Sequence, residues 1–195
     1  MIDVWTSAPN PVPLNGSEPF VGIDAKVSDF WSFAMSDLRM NNIRGYVAEF
    51  LVSRAVGAQG LRVEWDAFDV RSPDGIKIEV KSSAYLQVWD QRRLSTIQFS
   101  GLRGRTWSPQ DGESPEPTYN ADVYVFCVQT AVTHDSYEPL DVDQWNFYVV
   151  SRDAIIALGQ SSVGLSTVIR LSGGPSSYAD LSVAVTRATT VRAKD

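Results

Sequence analysis

The sequence AFDVRSPDGIKIEVK, residues 67–81, holds two runs of alternating apolar and charged residues on either side of Ser-Pro-Asp-Gly. Pro73 suits the first corner of a type I turn, and Gly75 suits the left-handed position that follows it. The segment therefore predicts a β-hairpin with a three-residue loop. In this register apolar residues face apolar partners and charged residues face polar ones, whereas a two-residue loop would mix them. The expected pairs are Val70 with Ile78, Phe68 with Val80, Arg71 with Lys77, Asp69 with Glu79, and Ala67 with Lys81.

This register places two carboxylates opposite each other. The Cβ atoms of Asp69 and Glu79 would lie about 5 Å apart, where like charges repel. A divalent cation that bridges both would offset the repulsion, because hard cations bind carboxylate oxygens. Lys81 follows Glu79 on the same face of the strand. The alternative is a solvated polar face balanced by the neighbouring basic side chains.

A third acid lies in the segment NNIRGYVAEFLVSRAVG, residues 41–57. The asparagines at its start and the glycine at its end predict the limits of a helix. The helix is apolar on nearly every side, which is typical of a buried helix. A carboxylate buried there is costly unless it is paired or bound to a metal, so Glu49 is a candidate ligand. An ordinary ion pair with Arg44 or Arg54 is the alternative.

The rest of the chain predicts an α/β protein with a sheet and helices on its faces. Further helices are expected at 24–38 and 152–159, and strands at 61–65, 66–71, 76–81, 94–100, 121–129 and 145–150. Residues 1–22 are interpreted as an extended arm and residues 104–120, with three prolines, as a loop. Both would belong to a single domain over residues 1–195.

Composition excludes several classes of protein. The chain has 195 residues, 44% of them hydrophobic and 21% charged, which is enough for a packed core. One cysteine and one histidine exclude a disulfide framework and a zinc site rich in these residues. The sequence has no apolar run near the roughly 20 residues of a membrane span and no secretory signal, so we expect a cytoplasmic protein without a membrane partner.

Charge is spread unevenly along the chain. The net charge of −6 argues against nonspecific coating of nucleic acid, yet residues 77–107 hold six Lys and Arg against two acids. Four arginines of this segment could bind phosphates, with scattered surface arginines as the alternative. They are Arg92, Arg93, Arg103 and Arg105. Gln87 either lines the same site or is a surface amide.

Glu49, Asp69, Glu79 and Lys81 follow one another on a helix and two strands. This ordered set resembles the PD-(D/E)XK nuclease superfamily, which includes restriction endonucleases and Holliday-junction resolvases, over residues 41–83. The resemblance implies a restriction-endonuclease-like αβββαβ core with a mixed central sheet flanked by helices, to which this chain would add C-terminal strands. Two features depart from it: no proline precedes Asp69, and residues 83–100 show no clear helix.

The resemblance also implies magnesium-dependent cleavage of phosphodiester bonds, with manganese as a substitute and DNA as the expected substrate. Asp69 and Glu79 would hold the ion, Glu49 would assist them, and Lys81 would orient water or stabilise negative charge. A homodimer and a partner protein that supplies DNA specificity are both compatible with it.

Two other classes stay open at this point. One is a noncatalytic module on the same fold that binds nucleic acid or serves assembly. The other is an all-β sandwich that binds sugars or protein, which a central helix packed on the sheet would exclude.

Overall fold

The computed structural model describes residues 12–60, 62, 67–108 and 110–190. The chain divides into two compact units, Met1–Asp37 and Leu38–Asp195. Of the predicted strand 61–65, all but Arg62 lies outside the described residues, as does the first half of the predicted arm. The interpretation of the whole chain as one domain stays a prediction.

The first unit contains one helix in its described part, α1 (Val27–Ala34). This helix is shorter than the predicted 24–38. It starts after Lys26, whose main-chain N–H donates to Oδ2 of Asp29 at 2.7 Å. None of its eight residues is buried, and Phe33 is 84% exposed.

The second unit combines helices and strands. Its helices are α2 (Asn41–Ala55), α3 (Arg152–Leu158), α4 (Leu165–Ser172) and α5 (Leu181–Thr190). Its strands are β1 (Val70–Arg71), β2 (Lys77–Ala84), β3 (Gln98–Ser100), β4 (Trp107–Ser108), β5 (Gly112–Glu113), β6 (Val123–Gln129), β7 (Trp145–Ser151) and β8 (Ser162–Gly164). The predicted α/β class is therefore confirmed. An all-β sandwich is excluded, because α2 packs against β2.

The central sheet has the strand order β1-β2-β6-β7, with β2 and β6 parallel and the other neighbours antiparallel. Every residue of β6 is buried, as expected for a strand covered on both faces. One face forms a first core with α2 and α5, and the other forms a second core with α3, α4, β3 and β8. The sheet is thus mixed and flanked by helices, as predicted.

The connection from β2 to β6 differs from the expected restriction-endonuclease-like core. Between these strands the described residues form no helix; they form β3, which pairs with β8, and the small β4–β5 hairpin. That hairpin lies within residues 104–120, so their interpretation as a plain loop was wrong. The described C-terminal part after β7 is also mainly helical, with one short strand instead of the several strands expected.

The hairpin of residues 70–78 has the predicted register. Val70 pairs with Ile78 and Arg71 with Lys77. Gly75 has a φ of 85°, a left-handed conformation that glycine adopts without a Cβ clash. The Pro-Asp-Gly loop therefore fixes the register as the sequence indicated.

Beyond Val70 the predicted alternation is wrong. The N–H of Asp69 donates to the carbonyl oxygen of Ile78 at 3.1 Å, although Ile78 is already the partner of Val70. Asp69 is therefore an extra residue, a β-bulge, and a bulge reverses the facing of the residues before it. Phe68 accordingly joins the second core, whereas Val80 lies in the first. The direct pairs Asp69–Glu79, Phe68–Val80 and Ala67–Lys81 are not formed.

Candidate active site

Asp69 immediately precedes β1 at the edge of the sheet, beside the part of β2 that β1 does not reach. Its Oδ2 accepts a hydrogen bond from the N–H of Val80 at 2.7 Å. The side chain thus replaces the main-chain acceptor that a longer β1 would have supplied, which leaves this N–H satisfied. The bulge and this hydrogen bond together fix the carboxylate beside β2.

Glu79 and Lys81 lie two residues apart on β2 and point to the same side. Ile78 and Val80 fill the first core, so these two side chains point toward the second. Oε1 of Glu79 lies 2.6 Å from Nζ of Lys81, and both side chains are largely shielded. Gly101, just after β3, lies close to this lysine, since a Cβ there would lie 3.6 Å from Nζ of Lys81.

Glu49 pairs with a residue that the sequence did not single out. Its Oε2 lies 2.6 Å from Nε of Arg62, so the alternative of an ion pair applies with Arg62 as the partner in place of Arg44 or Arg54. Arg62 also stacks on the ring of Tyr46 at 4.5 Å. The only signal for this residue was its polar position within the alternating run LRVEW, which does not distinguish it from any exposed arginine.

The three carboxylates share one electrostatic environment. Burial is the largest cause that raises the pKa of Glu49, Asp69 and Glu79. The charge of Asp69 raises the pKa of both glutamates further, while the nearby charge of Lys81 lowers the pKa of all three acids. The fold thus brings together the helical acid, the two strand acids and the lysine.

Each carboxylate already has a counterpart. Glu49 is held by Arg62, Asp69 by the N–H of Val80 and Glu79 by Lys81. In the part of the chain that the structure describes, no group of three or more His, Cys, Asp or Glu is arranged so that it could hold a metal ion. In donor chemistry the three acids fit a hard divalent cation, because they are shielded oxygen donors that repel one another. Holding one would require the glutamates to exchange their basic partners for the ion.

The predicted nucleic-acid contacts divide into two groups. Arg92 and Arg93 are exposed. Arg103 donates to the carbonyl oxygen of Gly159 at 3.2 Å, and Arg105 forms an ion pair with Glu113 at 3.0 Å. These two arginines therefore already have partners on the protein.

Of the two interpretations of Gln87 that the sequence left open, the surface amide is wrong, and a contact with nucleic acid stays a prediction. Gln87 is buried, and its Nε2 donates to the carbonyl oxygen of Ala84 and to Oγ of Ser95, both at 3.2 Å. Its role is to hold the loop that follows β2.

A cleft of about 420 Å³ opens beside Glu49 and Asp69. Its walls are one side of α2, the turn after that helix, and the residues just before and within β1. Residues 85–105, the part of the basic segment 77–107 that follows β2, reach the site at Gly101. None of them lines this cleft. The lining residues are Tyr46, Glu49, Phe50, Ser53, Ala58, Gln59, Gly60, Arg62, Phe68, Asp69, Val70 and Arg71.

Comparison with known proteins identifies no family. No protein-family model matches the chain, and no curated protein matches it. Among the described residues, no helix combines the length and the apolar character needed to cross a membrane.

Proposed function

We propose that the protein is a magnesium-dependent nuclease that hydrolyses phosphodiester bonds in DNA in the cytoplasm. The observation that carries the proposal is the convergence of Glu49, Asp69 and Glu79 around Lys81. Partly buried acids whose pKa values are raised by burial and by a neighbouring charge, beside a lysine and next to a cleft, are typical of functional sites. The ordered resemblance to the PD-(D/E)XK superfamily supports the same chemistry, with an αβββαβ core that this chain would vary between β2 and β6.

In this proposal Asp69 and Glu79 hold the ion, with Glu49 beside them and manganese as a substitute. Held by these residues, a divalent ion would supply Lewis acidity toward the phosphate and a water of lowered pKa. Lys81 stabilises the negative charge that develops on the phosphate as the water oxygen adds to phosphorus and a P–O bond breaks. Burial among protein atoms strengthens this interaction relative to water. Arg92 and Arg93, exposed on the basic segment, contact phosphates farther along the DNA.

Cleavage of labelled DNA in magnesium, compared with EDTA, tests the proposal directly. Lys81→Ala should fold normally and cleave about 10²-fold more slowly or worse, the usual scale for loss of one stabiliser of transition-state charge. Lys77→Ala is the matched control, because Lys77 is the same residue type on the same strand, four residues earlier. It should cleave like the wild-type protein.

Thermal unfolding with and without magnesium separates metal binding from catalysis. Magnesium should stabilise the wild-type protein and Lys81→Ala, which both keep Asp69 and Glu79, and should leave Asp69→Ala unaffected. The proposal would be abandoned if neither magnesium nor manganese stabilises the wild-type protein and it cuts no DNA.

A noncatalytic nucleic-acid-binding or assembly module on the same fold is the second candidate. The short Glu79–Lys81 and Glu49–Arg62 pairs favour it, because each acid is neutralised without a metal. Under either candidate Lys81→Ala should lower the stability of the metal-free protein, since it leaves Glu79 shielded and unpaired. The noncatalytic candidate is distinguished by a wild-type protein that cuts no DNA and gains no stability from magnesium.

A further inference from the structure

The cleft beside Glu49 and Asp69 has a composition that the proposed reaction does not use. Phe50 stands in its wall with 61% of its surface exposed, although it belongs to a helix whose other face packs in the first core. Tyr46 lies one turn earlier and is 37% exposed. Two exposed aromatic side chains on one face of a helix, beside a cleft, are a candidate surface for stacking a flat ligand.

Two arginines complete the cleft. Arg62 stacks on Tyr46 at 4.5 Å, and Arg71 stacks on Phe68 at 4.7 Å. Stacking orders a guanidinium group while it leaves the N–H donors at its rim free for phosphate oxygens. The Arg62 group is also held by Glu49, whereas Arg71 is an exposed residue at the end of β1.

Size decides which form of nucleic acid can enter. A cleft of about 420 Å³ is within the range of about 300–1,000 Å³ that holds a ligand of nucleotide size. A base inside a duplex is stacked and paired, so it cannot lie in such a cleft unless it is turned out of the helix. Aromatic stacking beside cationic side chains is the usual way in which proteins bind unpaired strands without reading their sequence.

We infer that this cleft binds an unpaired nucleotide of the DNA substrate, so that the protein favours single-stranded DNA or single-stranded ends over an intact duplex. The inference rests on the proposed function, because it takes DNA as the substrate. It assigns stacking to Phe50 and Tyr46, and phosphate contacts to Arg71. The basic residues Arg92 and Arg93 would contact phosphates of either form of DNA.

Binding of a fluorescent single-stranded oligonucleotide and of the matching blunt duplex, in EDTA and in calcium, tests the inference. Phe50→Ala should weaken binding of the single strand by about 5- to 150-fold, the range found when one stacked aromatic is removed, and change duplex binding by less than 2-fold. Phe50→Trp should restore binding. Phe33→Ala is the control, since Phe33 is an exposed phenylalanine of α1, in the first unit.

Arg71→Ala gives an independent readout. The slope of log affinity against log salt for the single strand should fall by about 0.7, which is one phosphate contact. Neutralising Arg92 and Arg93 should instead weaken single strand and duplex alike. Arg71→Ala also keeps the inference testable if Phe50→Ala does not fold.

The inference is overturned if Phe50→Ala binds the single strand as tightly as the wild-type protein does. It is also overturned if this substitution weakens the binding of single strand and duplex equally, or if the wild-type protein binds no single strand in either buffer. These results are distinct from failure of the proposed function. If the protein cleaves DNA but neither binding nor cleavage depends on Phe50, the nuclease proposal holds and the role assigned to the cleft is rejected. If single-strand binding depends on Phe50 and no DNA is cleaved, the role of the cleft holds and the noncatalytic module is favoured.

Discussion

Asp69 shows how one residue can serve the fold and the site at once. Its extra position just before β1 lets Phe68 join the second core, and its carboxylate accepts a hydrogen bond from the N–H of Val80. Burial makes the charge of this carboxylate unfavourable, and that charge in turn raises the pKa of Glu49 and Glu79. Asp69→Ala removes both the hydrogen bond and the charge, whereas Asp69→Asn removes the charge and keeps an acceptor oxygen. The two substitutions should therefore differ in their effect on stability.

We expect Asp69→Asn to stabilise the metal-free protein near pH 7 relative to Asp69→Ala. An asparagine oxygen can still accept from Val80, whereas alanine leaves this N–H without its acceptor at a cost of about 1–3 kcal/mol. Urea unfolding of both variants measures the difference. Equal stability of the two would show that the hydrogen bond contributes nothing.

The pH dependence of stability follows from the raised pKa of Asp69, which burial causes first and the N–H of Val80 only partly offsets. Because the pKa of Asp69 is higher in the folded state than in the unfolded state, the folded state holds the proton more tightly, and protonation of Asp69 stabilises the fold. This stabilisation is fully present below about pH 4, the ordinary range of an aspartate pKa, and is lost as the pH rises through the folded-state pKa. Asp69→Asn should therefore match the wild-type protein in acid and become the more stable of the two as the pH rises. Melting temperatures between pH 4 and 8 test this, and a constant difference across the range would contradict it.

At the scale of elements, α2 differs from the uniformly buried helix that its composition indicated. Ala48 and Val52 lie in the first core, while Tyr46 and Phe50 face the cleft. The helix therefore has a packed side and a side available to a ligand. Gly45 lies near β2, and a Cβ there would meet Oγ of Ser82 at 3.9 Å, an ordinary contact distance.

Gly45→Ala should stabilise the protein by about 0.5–1 kcal/mol. Alanine has the higher helix propensity, and the contact with Ser82 needs no rearrangement. Gly101→Ala is the contrast, because Gly101 has a φ of 69° and alanine is strained there. Chemical denaturation should show a gain for the first variant and a loss for the second. A loss at Gly45 would mean that the helix packs against β2 more closely than the structure shows.

At the scale of the whole molecule, the second unit has two cores on either side of β6. Phe126 belongs to the second of them, where it contacts Phe99 with ring centroids 4.9 Å apart. The proposed site lies beside these cores, at the edge of β2 just before β1 begins. Its geometry therefore depends on β2, which pairs with the fully buried β6, and on α2, which packs in the first core on one side only.

Phe126→Ala should cost about 3–5 kcal/mol of unfolding free energy, as for other phenylalanines removed from a core. Phe50→Ala, the same substitution on the exposed side of α2, should change it by no more than about 0.5 kcal/mol. Urea unfolding of the pair checks the expectation. A comparable loss for both would mean that Phe50 is a core residue and would remove the reason to assign it to a ligand.

The sequence by itself determined the α/β class, the limits of α2 to within two residues, the register of the hairpin from Val70 to Ile78, and the order of Glu49, Asp69, Glu79 and Lys81. These features depend on turn residues and on periodicity, which act over a few positions along the chain. The tertiary structure alone decided that Asp69 bulges, that Arg62 pairs with Glu49 and that Gln87 is buried. Each of these depends on groups that are distant in sequence, such as a free N–H at a strand edge or an acid across a cleft, and no local pattern specifies which of them meet.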